Sequence, residues 1–254
     1  MEQLRIIAIT QARTGSTRLP GKVLKEVNGK SLLEIHLKRV LRSTKISGLI
    51  VATTTNEEDS AIVDIANTLG LKSSRGSVND VLDRFYQALQ GFSPDYVVRI
   101  TSDCPLVDPI LIDKIVQHTL DHNLDYCSNT LDPSYPDGQD VEVMKYSALQ
   151  KAWHEAKLAS EREHVTPYIW KNSSYKGGSL FTSDNFQEGF SYGHLRMTVD
   201  EPKDLEVIIR IITHLGFDKG WFDYAQYLEE NPEIKRFNET IARNEGYNKS
   251  LKKE

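Results

Sequence analysis

The sequence predicts an α/β protein of three layers, α/β/α, built on a mostly parallel, mixed sheet. Three observations predict it. Short apolar runs alternate with amphipathic segments of helical period through most of the chain. The first run, Leu4 to Thr10, is apolar at successive positions, as a strand covered on both faces should be. Each cluster of polar, chemically capable residues follows directly after a strand-like run, which is where open parallel sheets bind ligands.

The elements follow in order. After the first strand, Ser31-Leu32-Leu33-Glu34 has the form of a capping box, and Leu33, Leu37, Val40 and Leu41 continue it at helical spacing. Gly48 to Thr54 is the next strand. Asn56 is expected to cap a helix that buries Ile62, Ile65, Ala66 and Leu69, and Ser77 to cap another that buries Val81, Leu82, Phe85 and Leu89. Tyr96 to Thr101 is a third strand. Asp108-Pro109 opens a helix to about His122, because proline suits the first helical turn. Asp125 to Ser128, Val141 to Met144, Leu180 to Thr182 and Leu195 to Val199 are expected as shorter strands. Helices are expected over Ser147 to Lys157 and Glu161 to Trp170. A last helix starts around Asp200 and Pro202, with Asp200 as its cap and Leu205, Ile208, Ile209 and Ile212 on one face. The tail from about Tyr247 is polar and is expected to fray.

The chain of 254 residues suits one large domain, or a domain with a small appendage, and 39% hydrophobic against 26% charged residues describes a globular protein. Only two cysteines occur, Cys104 and Cys127, and the N-terminus shows no cleavage-site pattern, so a reducing cytoplasm is the expected compartment. A net charge of −5 argues against general nucleic-acid binding. Locally the balance reverses: Gln11 to Lys25 carries Arg13, Arg18, Lys22 and Lys25 and no acid. A basic loop on an acidic protein suits a small polyanion.

That loop, Gln11-Ala12-Arg13-Thr14-Gly15-Ser16-Thr17-Arg18-Leu19-Pro20-Gly21-Lys22, is long for a strand-to-helix connection. Gly15 offers close backbone approach or a positive φ, Ser16 and Thr17 offer hydroxyls, and Arg13, Arg18 and Lys22 can neutralise phosphate oxygens. It is not a Walker A loop: five residues rather than four separate Gly15 from Gly21, and Val23 stands where serine or threonine is required. It also lacks the G-x-G-x-x-G of dinucleotide sites.

The same run resembles the signature loop of the CMP-sugar synthetase superfamily, and is most similar to the spore coat polysaccharide biosynthesis protein F branch, although Thr10-Gln11 replaces the usual Ile-Pro. The resemblance implies a glycosyltransferase-A-like nucleotidyltransferase fold over residues 1–246, with a dimerisation or acceptor-binding subregion around 130–195 and a polar tail at 247–254. It implies transfer of CMP from CTP to an acidic sugar or related acceptor, with Arg13, Ser16, Arg18 and Lys22 on the phosphates and Ala12, Thr14 and Gly15 completing the loop. A homodimer is implied as well. Asp103, just past the third strand in Ser102-Asp103-Cys104-Pro105, and Asp200, in Val199-Asp200-Glu201-Pro202, match the pair that holds Mg²⁺ in that superfamily; two carboxylates plus substrate phosphates suit this ion. Read alone, Asp103 is a turn residue and Asp200 a helix cap.

Arg75, in Arg75-Gly76-Ser77-Val78-Asn79-Asp80, lies in a segment resembling the one near the cytosine, with Thr101 and Ser102 as further base or ribose contacts. Asp140 and Glu142, in Gly138-Gln139-Asp140-Val141-Glu142, share one face at period two; the resemblance implies that this segment lies beside the acceptor, with Asp140 also a candidate for proton removal. His164 is a third acceptor candidate. His118 and His122 lie at i, i+4 on a helix without a visible third metal ligand, so a solvated face is expected. Rival readings are a glycosyltransferase using a nucleotide sugar, disfavoured because Asp103-Cys104-Pro105 is not Asp-x-Asp, a transferase using another NTP, and a non-catalytic nucleotide-binding protein.

Overall fold

The computed structural model describes residues 4–252 and 254. Its central sheet has seven strands: β1 (Ile6–Gln11), β4 (Gly48–Thr54), β5 (Lys72–Gly76), β6 (Tyr96–Thr101), β7 (Tyr126–Ser128), β8 (Glu142–Lys145) and β9 (Ser183–Asn185), in the order β5-β4-β1-β6-β8-β7-β9. β2 (Glu26–Val27) and β3 (Lys30–Ser31) form a separate small hairpin. The β5–β4–β1–β6 half is parallel, whereas β8 runs antiparallel to both β6 and β7. The expected three-layer mixed sheet is therefore what the chain forms.

β1 explains the layering. Ile6 and Ala8 enter one core with Val98 and Ile100, while Ile7 and Ile9 enter the opposite core with Val97 and Phe85. Alternate side chains of a strand point to opposite faces, so a run apolar at successive positions needs helices on both sides. One face is covered by α1 (Leu32–Val40), α2 (Ser60–Thr68) and α4 (Pro109–Asp121), the other by α3 (Val81–Ala88), α5 (Tyr146–Glu155) and α7 (Pro167–Lys171). A third core joins α1 to α8 (Pro202–Leu215) and α9 (Trp221–Glu230) through Ile35, Met197, Ile208 and Tyr224. The remaining helices are α6 (Ala159–His164), α10 (Pro232–Lys235) and α11 (Glu245–Leu251). Among the described residues no helix is long and apolar enough to cross a membrane.

Several local expectations are corrected. Ser31 accepts from the Glu34 amide as foreseen, but the Asn56 side chain caps nothing. Ser77 accepts from the Asn79 and Asp80 amides in a turn, and Asp80 is the cap of α3. The helix expected over Glu161 to Trp170 breaks at Val165, whose φ is +73°, just ahead of Pro167. Leu180 to Thr182 and Leu195 to Val199 are not strands; each contributes an isolated bridge, Ser173 to Phe181 and Asp137 to Arg196. The residues expected to fray from Tyr247 form most of α11.

The Asp137–Arg196 bridge needs Gly138. Its φ is +104°, and a Cβ there would lie 2.6 Å from the Met197 carbonyl carbon and the Thr198 nitrogen. Gly138→Ala is therefore expected to cost more than about 2 kcal/mol, because strain and a backbone clash combine. Thermal or urea unfolding measures this, and wild-type stability would show that the two segments are free to separate.

Candidate functional site

The loops after β1 and β6 open into one cleft of about 900 Å³, which Val81 and Arg84 of α3 also line. That size accommodates a nucleotide and more. The basic loop forms one wall. Its shape comes from Thr14, whose amide and hydroxyl both donate to Asp59 Oδ1 at 2.7 Å, and whose carbonyl accepts from Ser16 and Gly21. Burial alone would raise the Asp59 pKa, but the donors from Thr54 and Thr14 hold it below the ordinary value. Gly21, at φ +65°, makes the left-handed turn that presents Lys22. Gly15 is not at positive φ, and a Cβ there would only touch Glu58 at 3.6 Å. Ala12, Arg13, Ser16, Arg18 and Lys22 line the cleft; Thr14 and Gly15 support it from behind.

Two acids far apart in sequence meet at Lys22. Its Nζ donates to Asp103 Oδ2 at 2.9 Å and to Asp200 Oδ1 at 2.8 Å. The backbone enforces the meeting: the Val199 amide donates to the Asp103 carbonyl at 2.8 Å, and the Thr198 hydroxyl donates to the same oxygen at 3.1 Å. Burial would lower the Lys22 pKa, yet the two carboxylates raise it above the ordinary lysine value. Burial would raise the Asp103 pKa, yet Lys22 and the Thr101 hydroxyl hold it well below the carboxylate range. Lys22 and Asp103 are therefore both charged at neutral pH.

Asp200 does not cap α8. Asp204 accepts from the Asp200 and Glu201 amides at 2.9 and 3.0 Å, which leaves the Asp200 carboxylate free for side chains. Its Oδ1 also meets Arg18 at 3.0 Å, while Oδ2 is held by Arg196 at 3.2 Å. Arg196, with its side chain 5% exposed, also pairs with Asp204 and Asp137. Among the described residues no group of three or more His, Cys, Asp or Glu residues is placed to hold a metal. Asp103 and Asp200 fit a divalent cation that completes its shell with phosphates and water.

Arg75 donates to the carbonyls of Thr54 and Asn56 and does not line the cleft. Arg84 lines it instead. It is 3% exposed, its Nε and Nη1 have no hydrogen-bond partner among the described residues, and burial with Arg13 nearby lowers its pKa to about 10. Gly76 makes room for it, since a Cβ there would sit 2.6 Å from Arg84 Cγ. The buried Gln11 Oε1 is also unpartnered in the same cleft. Thr101 and Ser102 line the cleft as expected. A signal for Arg84 was present, because it falls between Val81, Phe85 and Ala88 on the buried stripe of α3, where a cation needs a reason.

On the far side Asp140 faces the cleft and pairs with Arg243. Burial, and secondarily Asp140, raise the Asp137 pKa to about 7. Burial also raises Asp140, against the pull of Arg243. Glu142 is spent on internal partners, Arg99, the Tyr126 hydroxyl at 2.6 Å and the Thr166 hydroxyl at 2.6 Å, so it braces the wall and does not offer a free carboxylate. His164 borders the cleft and meets Ser250 at 3.1 Å; burial lowers its pKa. His118 pairs with Asp184 at 2.8 Å on the surface, away from the cleft. Sequence reasoning missed Arg84, Asp137, Arg196 and Arg243. Arg196 and Asp200 sit at even spacing on the polar face of Leu195 to Val199, which was a usable sign.

The family model described as "Cytidylyltransferase" matches residues 7–234. An uncharacterized protein of Methanocaldococcus jannaschii is 42% identical over 94% of this chain and 96% of its own length. The spore coat polysaccharide biosynthesis protein SpsF of Bacillus subtilis is 34% identical over 90% of this chain and 95% of its own. A solved cytidylyltransferase from Leptospira borgpetersenii superposes with a TM-score of 0.84 at 29% identity, covering 95% of this chain and 99% of that one. The protein whose loop, paired acids and sheet are described above belongs to the cytidylyltransferase family.

Proposed function

We propose that the chain transfers CMP from CTP to an acidic sugar or related acceptor, releasing pyrophosphate, in the making of a surface polysaccharide precursor. The observation that carries this reading is the Lys22 ammonium bracketed by Asp103 and Asp200 at the mouth of a basic loop. In the proposed reaction an acceptor hydroxyl oxygen attacks the α-phosphorus in line, and the bond to the bridging oxygen of the β-phosphate breaks. Arg13, Arg18 and Lys22 hold the phosphates and meet the charge that grows on the departing pyrophosphate. Asp103 and Asp200 would hold Mg²⁺, which supplies Lewis-acid charge when bound. Asp137 and Asp140, whose proton affinity is raised by burial, would take the hydroxyl proton. Arg84 and Gln11 support the base end, because an arginine donor and an amide oxygen complement the carbonyl and amine of cytosine. The resemblance to the family, together with two free buried thiols, Cys104 and Cys127, supports a homodimer acting in the cytoplasm.

Three outcomes test this reading. Lys22→Met is expected to cut turnover with Mg²⁺ and CTP about a hundredfold or more. Its stability is expected to fall by about 2 kcal/mol or more, since two largely buried carboxylates lose the ammonium between them. Millimolar Mg²⁺ should restore that stability by taking the place of the ammonium between the carboxylates; calorimetry showing no Mg²⁺ effect would count against a metal site there. Arg84→Met is expected to weaken CTP binding about tenfold or more, as loss of a charged hydrogen bond does, and to reduce the preference over UTP. Equal CTP and UTP affinities in the wild type would remove Arg84 from base reading. The third concerns pH. Asp137 must be deprotonated to accept a proton, so kcat/KM should rise as pH increases through about 7 and level off above it. Asp137→Asn should abolish that rise, and a pH profile identical to the wild type would exclude Asp137 as the base.

A further inference from the structure

The family match ends at residue 234, yet residues 243–250 all line the cleft. This segment contains α11, which buries none of its own residues, so core packing does not account for its position. Contacts to the rim of the cleft do. Arg18 donates to Glu245 at 2.8 Å, the Ser250 hydroxyl donates to Glu163 at 2.8 Å, and His164 meets Ser250 at 3.1 Å. The segment is held as a strap between Arg18 of the basic loop and the rim at Glu163 and His164.

Two buried polar atoms on this strap have no hydrogen-bond partner among the described residues, Arg243 Nε and the Tyr247 hydroxyl. The other nitrogens of Arg243 are used, one donating to the Tyr135 carbonyl at 3.1 Å and one to Asp140, and Asp137 lies 3.9 Å from Nε. Buried donors without partners are costly, and where they border a cavity they mark where a ligand's polar atoms belong. The ring of Tyr247 stands edge-on to His164 at 5.1 Å and near Trp170 at 6.0 Å. One cleft thus holds a guanidinium beside Asp137 and Asp140, and a phenol beside the rings of His164 and Trp170. It matches a compact ligand with an anionic group, a rim of hydroxyls and an apolar C–H face, which is the chemistry of a carboxylated sugar.

We propose that residues 243–250 are the acceptor-recognition wall of the enzyme, with Arg243 reading the acceptor carboxylate and Tyr247 a hydroxyl. The inference rests on the cytidylyl-transfer reading and locates its second substrate. The test uses the full chain, Arg243→Gln and Tyr247→Phe. CTP binding with Mg²⁺ is measured by calorimetry, and pyrophosphate release is followed with 3-deoxy-manno-octulosonate, N-acetylneuraminate and galacturonate, each beside its methyl ester. The expected result is release with at least one acid and little with its ester. The acceptor KM should rise about tenfold in Arg243→Gln and about fivefold in Tyr247→Phe, as lost hydrogen bonds to a charged and a neutral group do. The KM for CTP should stay within about twofold, since neither residue is placed on the nucleotide. Tyr247→Phe keeps the ring contacts, so a change confined to its acceptor KM is not folding damage. An unchanged acceptor KM in both variants overturns the proposal. So does a wild-type chain that binds Mg²⁺ and CTP but uses none of the acids. A wild-type chain that binds no CTP overturns the nucleotide reading first, and this inference with it.

Discussion

The site depends on one ammonium held between two carboxylates. Asp103 and Asp200 are 97 positions apart in the chain (200 − 103), and like charges so close in space repel unless a cation stands between them. Lys22 is that cation, and both acids reach it within 2.9 Å. Each partner is delivered by a different part of the fold. Lys22 comes from the turn at Gly21, Asp103 from the end of β6, and Asp200 from the segment whose Val199 amide bonds the Asp103 carbonyl. Loss of the β1–β6 register, which pairs Gln11 with Thr101, would separate the loop from the acid.

A triphosphate with a divalent cation carries the same charges in a different arrangement. In the proposed reaction its phosphates would pair with Lys22 and Arg18, and its cation with the two acids. The site therefore holds itself in charge balance with internal pairs that a substrate can exchange without leaving a charge exposed to low dielectric. Arg196 is what keeps this exchange local. It fixes Asp200 through one carboxylate oxygen and is itself locked by Asp204, so Oδ1 keeps its direction whichever cation it faces.

Much of this was legible in the sequence, for physical reasons. β1 is apolar at successive positions, and that pattern has few other uses than a strand buried on both faces. The loop concentrates four cations without an acid, and the acids lie directly after strand-like runs. What failed was legibility at single residues that serve two purposes. Asp200 looks like a cap, but the helix starts one residue later, at Glu201, and Asp204 accepts the Asp200 and Glu201 amides. Ser77 looks like a cap, but the chain makes one further turn before Asp80. Arg75 and Arg84 are the same residue type and near in sequence, but Arg75 is held by the Thr54 and Asn56 carbonyls while Arg84 packs against Gly76 and lines the cleft.

The C-terminal segment shows the same limit in its strongest form. α11 has no apolar stripe, and a helix without one gives no periodic signal. Its residues are polar because they face a cleft and its rim, which is also the composition of a frayed end. Periodicity detects side chains that leave water for a core; it is blind to side chains kept polar for a ligand. That is why the half of the cleft formed by the basic loop and the paired acids, tied to the strand ends, could be read from the sequence, and the half formed by Arg243 and Tyr247 could be found only once the chain was folded back across Glu163 and His164.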